Sequence, residues 1–348
     1  MKKLSFAAAL FIGLCCGCGT NQTENKTTEA AVKDSAVGVI EIYDSGALAV
    51  IDSNATIEVI AKGFTWAEGP VWIADKKMLL FTDVPENKVY QWKEGDPVKL
   101  YLTPSGYTGT VKRIGGEDGA NGLTLDKEGH LLLCQSGNRQ IVRLNTPLDS
   151  PGPDFTVLSA NYKGKRFNSP NDLVADSENN IYFTDPVYGL PQRENDSARE
   201  LNFEGVYKIS AGGKTELLID SIPRPNGIAL SPDEKTLYVA SSEDQHPRWF
   251  AYTLDENKNI KSGRVLLDAT GMQQKATVKQ GADGFKIDNH GNILSAGPDG
   301  INIISPTGKL LGLIKIFIRR TSNCAFNDTK DILYITADDL VLRIKLHH

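Results

Sequence analysis

Apolar positions in this chain fall in short runs broken by Gly, Asn, Asp and Pro, and no stretch keeps a helical period. Aligned with one another, the runs form a repeat. One column reads Glu68-Gly69-Pro70-Val71-Trp72, Asn121-Gly122-Leu123-Thr124-Leu125, Asn171-Asp172-Leu173-Val174, Asn226-Gly227-Ile228-Ala229-Leu230, Asp283-Gly284-Phe285-Lys286-Ile287 and Asn323-Cys324-Ala325-Phe326. Each segment opens on a side-chain oxygen, usually followed by a small residue and then an apolar strand. A polar turn and a second apolar run follow, as in Leu79-Leu80-Phe81-Thr82-Asp83 and Ile181-Tyr182-Phe183-Thr184-Asp185. Repeats spaced by roughly 40–50 residues with several strands each are the signature of a β-propeller. The expected fold is therefore all-β: a six-bladed β-propeller with four-stranded blades.

The first five repeats each supply four strands, running from the axis outward; in the first these are residues 69–72, 79–83, 89–92 and 98–102. The sixth supplies only three, at 324–326, 333–336 and 341–346. The run 57–63 precedes the first blade and has no other partner, so it is expected to lie beside 341–346. One strand from each end of the chain would then close the ring and leave no open sheet edge at the junction. In this arrangement the loops at 103–120, 161–170, 185–204, 241–248 and 268–282 gather on the face where the oxygen column begins. The opposite turns are tight. Long loops over a rigid scaffold mark the working face.

The N-terminus is of another kind. Met1-Lys2-Lys3 is basic, residues 4–14 are apolar, and Cys15-Cys16-Gly17-Cys18 follows. This reads as a lipoprotein signal over 1–18, with Cys18 the lipidated residue, a polar tether over 19–39 and the propeller over 40–348. The expectation is an exported bacterial lipoprotein, periplasmic or on the cell surface, held to a membrane by its acyl chains. Of the five cysteines, only Cys134 and Cys324 fall in the propeller, each in an apolar strand, and no spacing suggests zinc. A net charge of -5 provides no basic surface for nucleic acid. A monomer is expected, because the closed ring needs no second copy.

Charge matters most on the axis. Glu68, Asn171, Asn226 and Asp283 offer two carboxylates and two amide carbonyls, with no His or Cys among them. Such a set suits a hard divalent cation, whose charge the two carboxylates would balance. Asn and Asp are common turn formers, which accounts for the asparagines without an ion. Glu is neither a turn former nor a good strand residue, so Glu68 is what favours the metal.

With those residues in view, the chain resembles the gluconolactonase family, which includes regucalcin (senescence marker protein) and the luciferin-regenerating enzymes. The resemblance rests on Glu68-Gly69-Pro70-Val71-Trp72, Asn168-Ser169-Pro170-Asn171-Asp172, Tyr182-Phe183-Thr184-Asp185-Pro186, Ala282-Asp283-Gly284 and Thr321-Ser322-Asn323-Cys324-Ala325-Phe326. It implies one divalent ion on the axis, with Ca²⁺ expected first and Zn²⁺, Mn²⁺ or Mg²⁺ as alternatives. By position it implies that Glu68, Asn226 and Asp283 bind the ion, that Asn171 contacts ion or substrate, and that Asp283 is the catalytic base. The activity implied is opening of a sugar lactone such as gluconolactone. From the residues themselves, Arg166 and Asn121 are further candidates for substrate contacts, and no Ser-His-Asp arrangement is evident. The competing reading is a non-catalytic, calcium-stabilised propeller that binds a carbohydrate or a protein.

Overall fold

In the computed structural model, residues 36–111 and 113–347 are described, and Ala36–His348 form one compact unit. Six antiparallel sheets make the blades of a six-bladed β-propeller. In blade one the strands are Ala67–Ile73, Met78–Asp83, Lys88–Trp92 and Lys99–Leu102, each paired with the next. The innermost strands of the other blades are Ala120–Leu125, Leu173–Ala175, Pro225–Leu230, Phe285–Ile287 and Thr321–Phe326. Each contacts its neighbour round the ring, including Thr321–Phe326 against Ala67–Ile73.

The alternating pattern of each strand is used on both faces, because every blade is packed between two others. Six apolar clusters result, one at each blade interface. Leu80 of blade one meets Leu133 of blade two in one of them, and Phe81 of blade one meets Tyr334 of blade six in another. Side-chain hydroxyls stitch the blades together nearer the axis. Thr82 donates to Asn121 O at 3.0 Å, Ser136 to Pro170 O at 2.8 Å and Thr184 to Asn226 O at 2.7 Å. Ser242 donates to Ala282 O at 2.7 Å and Ser322 to Ala67 O at 2.6 Å. Three of these carbonyls belong to Asn121, Asn226 and Ala282, so the stitching also fixes the backbone of the oxygen column.

The ring closes as the pattern predicts. Glu58–Lys62 pairs antiparallel with Leu340–Lys345 and completes blade six. A second N-terminal strand was not expected. Gly38–Ile42 pairs with Leu310–Ile316 and makes a fifth strand on blade five. The tether assigned to 19–39 therefore overlaps strand at Gly38 and Val39. The short turn Ser45–Ala49 that follows buries Ala47, and Val50 and Ile51 join the cluster between blades five and six. Backbone pairing and apolar burial together explain why this segment docks. The signal at 1–18, Cys18 and the tether up to residue 35 lie outside the described residues. Among those that are described, no helix is long and apolar enough to cross a membrane.

Candidate active site

The starts of the innermost strands converge on a cavity of about 530 Å³ at one end of the axis. Glu68, Asn121, Asn171, Asn226 and Asp283 all line it. Loops from the same face build its walls, among them the segments carrying Glu117, Tyr188 and Gln280. The cavity thus lies on the face where the long loops gather.

The small residue after each oxygen has a geometric origin. Successive innermost strands approach so closely here that little room is left beside the backbone. A Cβ on Gly69 would lie 2.0 Å from Asn121 O, and its φ of +50° is left-handed as well. The glycine amides are also used. Gly69 N donates to Glu68 Oε2 at 2.7 Å, and Gly284 N to Asp283 Oδ1 at 3.0 Å. Each carboxylate is thereby held by the residue that follows it.

Electrostatics mark this floor as incomplete by itself. Burial raises the Glu68 and Asp283 carboxyls above their ordinary range, and the charge of Glu68 raises Asp283 further. No cation forms an ion pair with either among the described residues. Asn171 Oδ1 is buried without a hydrogen-bond partner, and so is Asn121 Oδ1. Two carboxylates and a partnerless amide oxygen in one cavity form the donor set that a divalent cation needs.

The sixth member of the column does something else. Asn323 Nδ2 donates to Asp172 Oδ2 at 3.4 Å, while its Oδ1 accepts from Cys324 N at 2.8 Å and Lys286 Nζ at 3.2 Å. Asp172 and Asn323 are buried, and with Lys286 they form a polar cluster next to Glu68, whose carboxylate Asn323 also hydrogen-bonds. Lys286 supplies the charge that opposes the effect of burial on Asp172.

Arg166 is not brought to the site. It sits exposed on a two-residue ribbon, Lys165–Arg166 paired with Asn161–Tyr162, and its guanidinium donates to Asn138 O at 3.0 Å. The ribbon carries it outward, whereas Asn171, five residues later, lines the cavity. His246 is also exposed, with Nδ1 3.3 Å from Thr270 Oγ1, and does not line the cavity. Asp185 is buried and structural: its carboxylate accepts Asn168 N at 2.8 Å and Ser169 N at 2.7 Å, which shapes the segment leading to Asn171.

Two wall residues carried little sequence signal beyond loop length. Tyr188 hydrogen-bonds Ser242 and Arg224, and the guanidiniums of Arg193 and Arg224 each lie 5.5 Å from its ring centre. Glu117 accepts from Asn121 Nδ2 at 3.4 Å, and burial pushes its carboxyl up to about 7. At the opposite end of the propeller, Asp126, Glu128 and His130 cluster in an exposed turn. There Asp126 accepts from the amides of Glu128 and His130, as a turn-forming aspartate does.

Known proteins agree with this architecture. Residues 25–339 match the SMP-30/Gluconolactonase/LRE-like region. A gluconolactonase of Zymomonas mobilis is 37% identical over 317 residues, covering 89% of this chain and 87% of the relative. A solved gluconolactonase of Xanthomonas campestris superposes with a TM-score of 0.74 at 26% identity, covering 90% of this chain and 97% of that one. Regucalcin of Sus scrofa is 25% identical over 293 residues, or 82% of this chain and 87% of its own. With residues 25–339 matched to the family model and a 37% identical relative covering most of both chains, this propeller belongs to the SMP-30/gluconolactonase/LRE-like family.

Proposed function

We propose that this chain is a metal-dependent hydrolase that opens sugar lactones such as gluconolactone, with its ion held by Glu68, Asn171, Asn226 and Asp283. The observation that carries the reading is the cavity floor, where two buried carboxylates share a pocket with the partnerless Asn171 Oδ1. Buried like charges are costly without a counter-ion, and an all-oxygen set favours Ca²⁺, with Zn²⁺, Mn²⁺ and Mg²⁺ as alternatives. When bound, the ion would supply Lewis-acid polarisation of the lactone carbonyl and stabilise the developing oxyanion.

The chain's own residues do the rest. Asp283 has one carboxylate oxygen on the Gly284 amide, which leaves the other to take a proton from the attacking water. Asn226 and Asn171 have backbones fixed by the Thr184 hydroxyl and by Asn171's own amide donating to Thr184 O at 2.9 Å. Their side chains are thus presented to the cavity by strand ends rather than by loops. The relatives that bear the gluconolactonase name support the choice of reaction.

The test separates binding from proton transfer. Glu68→Gln should weaken metal binding in calorimetry and recover turnover in excess ion. Asp283→Asn keeps an oxygen donor but no base, so saturating ion should restore occupancy and leave turnover down by about 10²–10⁴-fold. Recovery of Asp283→Asn at high metal would reduce Asp283 to a ligand. Absence of turnover by the wild type on any lactone, with each of the four ions, would favour the non-catalytic, carbohydrate- or protein-binding reading.

We also propose that the protein is an exported lipoprotein anchored through Cys18 and working as a monomer. Cys18→Ser should abolish partition into detergent; unchanged partition would place the acyl chain on Cys16.

A further inference from the structure

Besides Glu68 and Asp283, which suffice for the proposed ion, the cavity is lined by Asp244 and Glu117, and of these two Glu117 is bonded to a member of the oxygen column. It does not belong to the strand-start column but to the loop before the second blade, and that loop is built with unusual firmness. Arg113 donates to Glu117 O at 3.1 Å and also to Gly189 O at 2.5 Å, and it pairs with Asp118 at 3.0 Å. Asn87 Oδ1 accepts from Ser105 N and Gly106 N, and Gly119 N donates to Val84 O at 2.8 Å. The loop is therefore tied to blades one and three at several points, and the Glu117 side chain is presented to the cavity from a fixed base.

Its bonding is unfinished. An ionised carboxylate has about four lone-pair sites, and among the described residues the Asn121 amide is the side chain that hydrogen-bonds Glu117, with the charges of Arg193 and Arg113 acting on it from further away. Asn121 itself is 3% exposed, and its Oδ1 has no partner. Asn121 Oδ1 loses solvation without regaining it unless a ligand brings a donor, and the half-buried Glu117 carboxylate lines the cavity beside it with acceptor capacity to spare. Hydroxyl groups are the donors a sugar lactone carries. Two neighbouring hydroxyls match the fork of one carboxylate, and an amide oxygen beside it can take a third.

We propose that Glu117 and Asn121 form the hydroxyl-recognition subsite, which selects polyhydroxylated lactones over lactones with a bare ring. The inference rests on the lactone-hydrolase reading and adds to it the residues that set specificity. It assigns Glu117 no part in holding the ion or in moving the water proton.

The experiment compares D-glucono-1,5-lactone with δ-valerolactone, which has the same ring without hydroxyls, in the metal-loaded full chain. Acid release is followed by pH-stat for wild type, Glu117→Gln and Asn121→Leu. Binding of glucitol, an open-chain polyol, is measured alongside by calorimetry. The wild type should prefer gluconolactone. Glu117→Gln loses one arm of the fork, and kcat/KM for gluconolactone should fall roughly 10–100-fold, mostly through KM. Its kcat/KM for δ-valerolactone should stay within about threefold of wild type, which also shows that the variant is folded and loaded. Equal losses on both lactones, or a wild type that handles both alike, would overturn the subsite. If the wild type opens neither lactone, the hydrolase reading fails, and glucitol binding then decides the subsite alone: weaker binding by Glu117→Gln supports it, and unchanged or absent binding overturns it.

Discussion

Gly227→Ala puts one methyl group between two of the strands that carry the proposed ligands. Gly227 follows Asn226, and its ideal Cβ would lie 2.4 Å from Asp283 O, 2.7 Å from Phe285 Cδ1 and 2.9 Å from Gly284 Cα. Ordinary van der Waals contact begins near 3.4 Å, and two of the obstructing atoms are backbone, so the strands must part by about 1 Å. The φ of Gly227 is not left-handed, so the whole effect comes from crowding and none from backbone strain. The separation falls between Asn226 on one strand and Asp283 on the other. A misplacement of about 1 Å costs on the order of 10²-fold in rate, and overpacking costs roughly 1–3 kcal/mol of stability. Lactone turnover, calorimetric metal titration and thermal melting of the same preparation read all three effects. Gly271→Ala is the control: nothing lies within 4 Å of its added methyl, and it sits in the helix Thr270–Lys275. That change should be neutral or stabilising by up to about 1 kcal/mol. Gly227→Ala with wild-type metal affinity and turnover would show that strand spacing does not position the site.

Removing residues 1–36 should leave the melting temperature unchanged, whereas removing 1–63 should lower it sharply, because the second deletion takes Gly38–Ile42, the buried Ile51 and the closing strand Glu58–Lys62. Equal melting of the two truncations would mean that neither N-terminal strand stabilises the ring. Stability of the chelator-treated protein should fall as pH rises. Burial pushes the Glu117 and Asp185 carboxyls up to about 7 from ordinary values of 4.5 and 3.8, and raises Glu68 and Asp283 too. The folded state then holds these protons more tightly than the unfolded state, so their contribution is complete below about pH 4 and lost as pH passes through about 7. A divalent ion, which must displace protons from Glu68 and Asp283, should raise the melting temperature more at pH 8 than at pH 5. A metal-free melting temperature that climbs between pH 5 and 8, or a larger metal effect at pH 5, would contradict this.

How much of the molecule was legible in advance follows from where each residue sits in the repeat. The period-2 runs and the turns between them are local, and repetition multiplied a weak signal per strand into a strong one for the ring. The oxygen at the head of each innermost strand was legible for the same reason: a strand start has one position and one direction in every blade. Closure by Glu58–Lys62 could be read from an apolar run without a partner and a blade one strand short. Gly38–Ile42 could not, because blade five already had its four strands and nothing in the repeat asked for another.

Sequence alone determined the fold, the face on which the cavity opens and the set of oxygens that reach the axis. Tertiary structure decided what each one meets. Asn323 heads its strand as Asn226 does, yet it turns to Asp172 and Lys286, a choice made by charges contributed from two other blades. Arg166 stands close to Asn171 in sequence and far from it in role, because an exposed ribbon directs its guanidinium to Asn138 O. Glu117 came into view only with the loops folded, since a loop has no period and its path is set by long-range ties such as Arg113 to Gly189 O. Repeating strands carry their geometry in local pattern, and loops acquire theirs from contacts with residues distant in the chain.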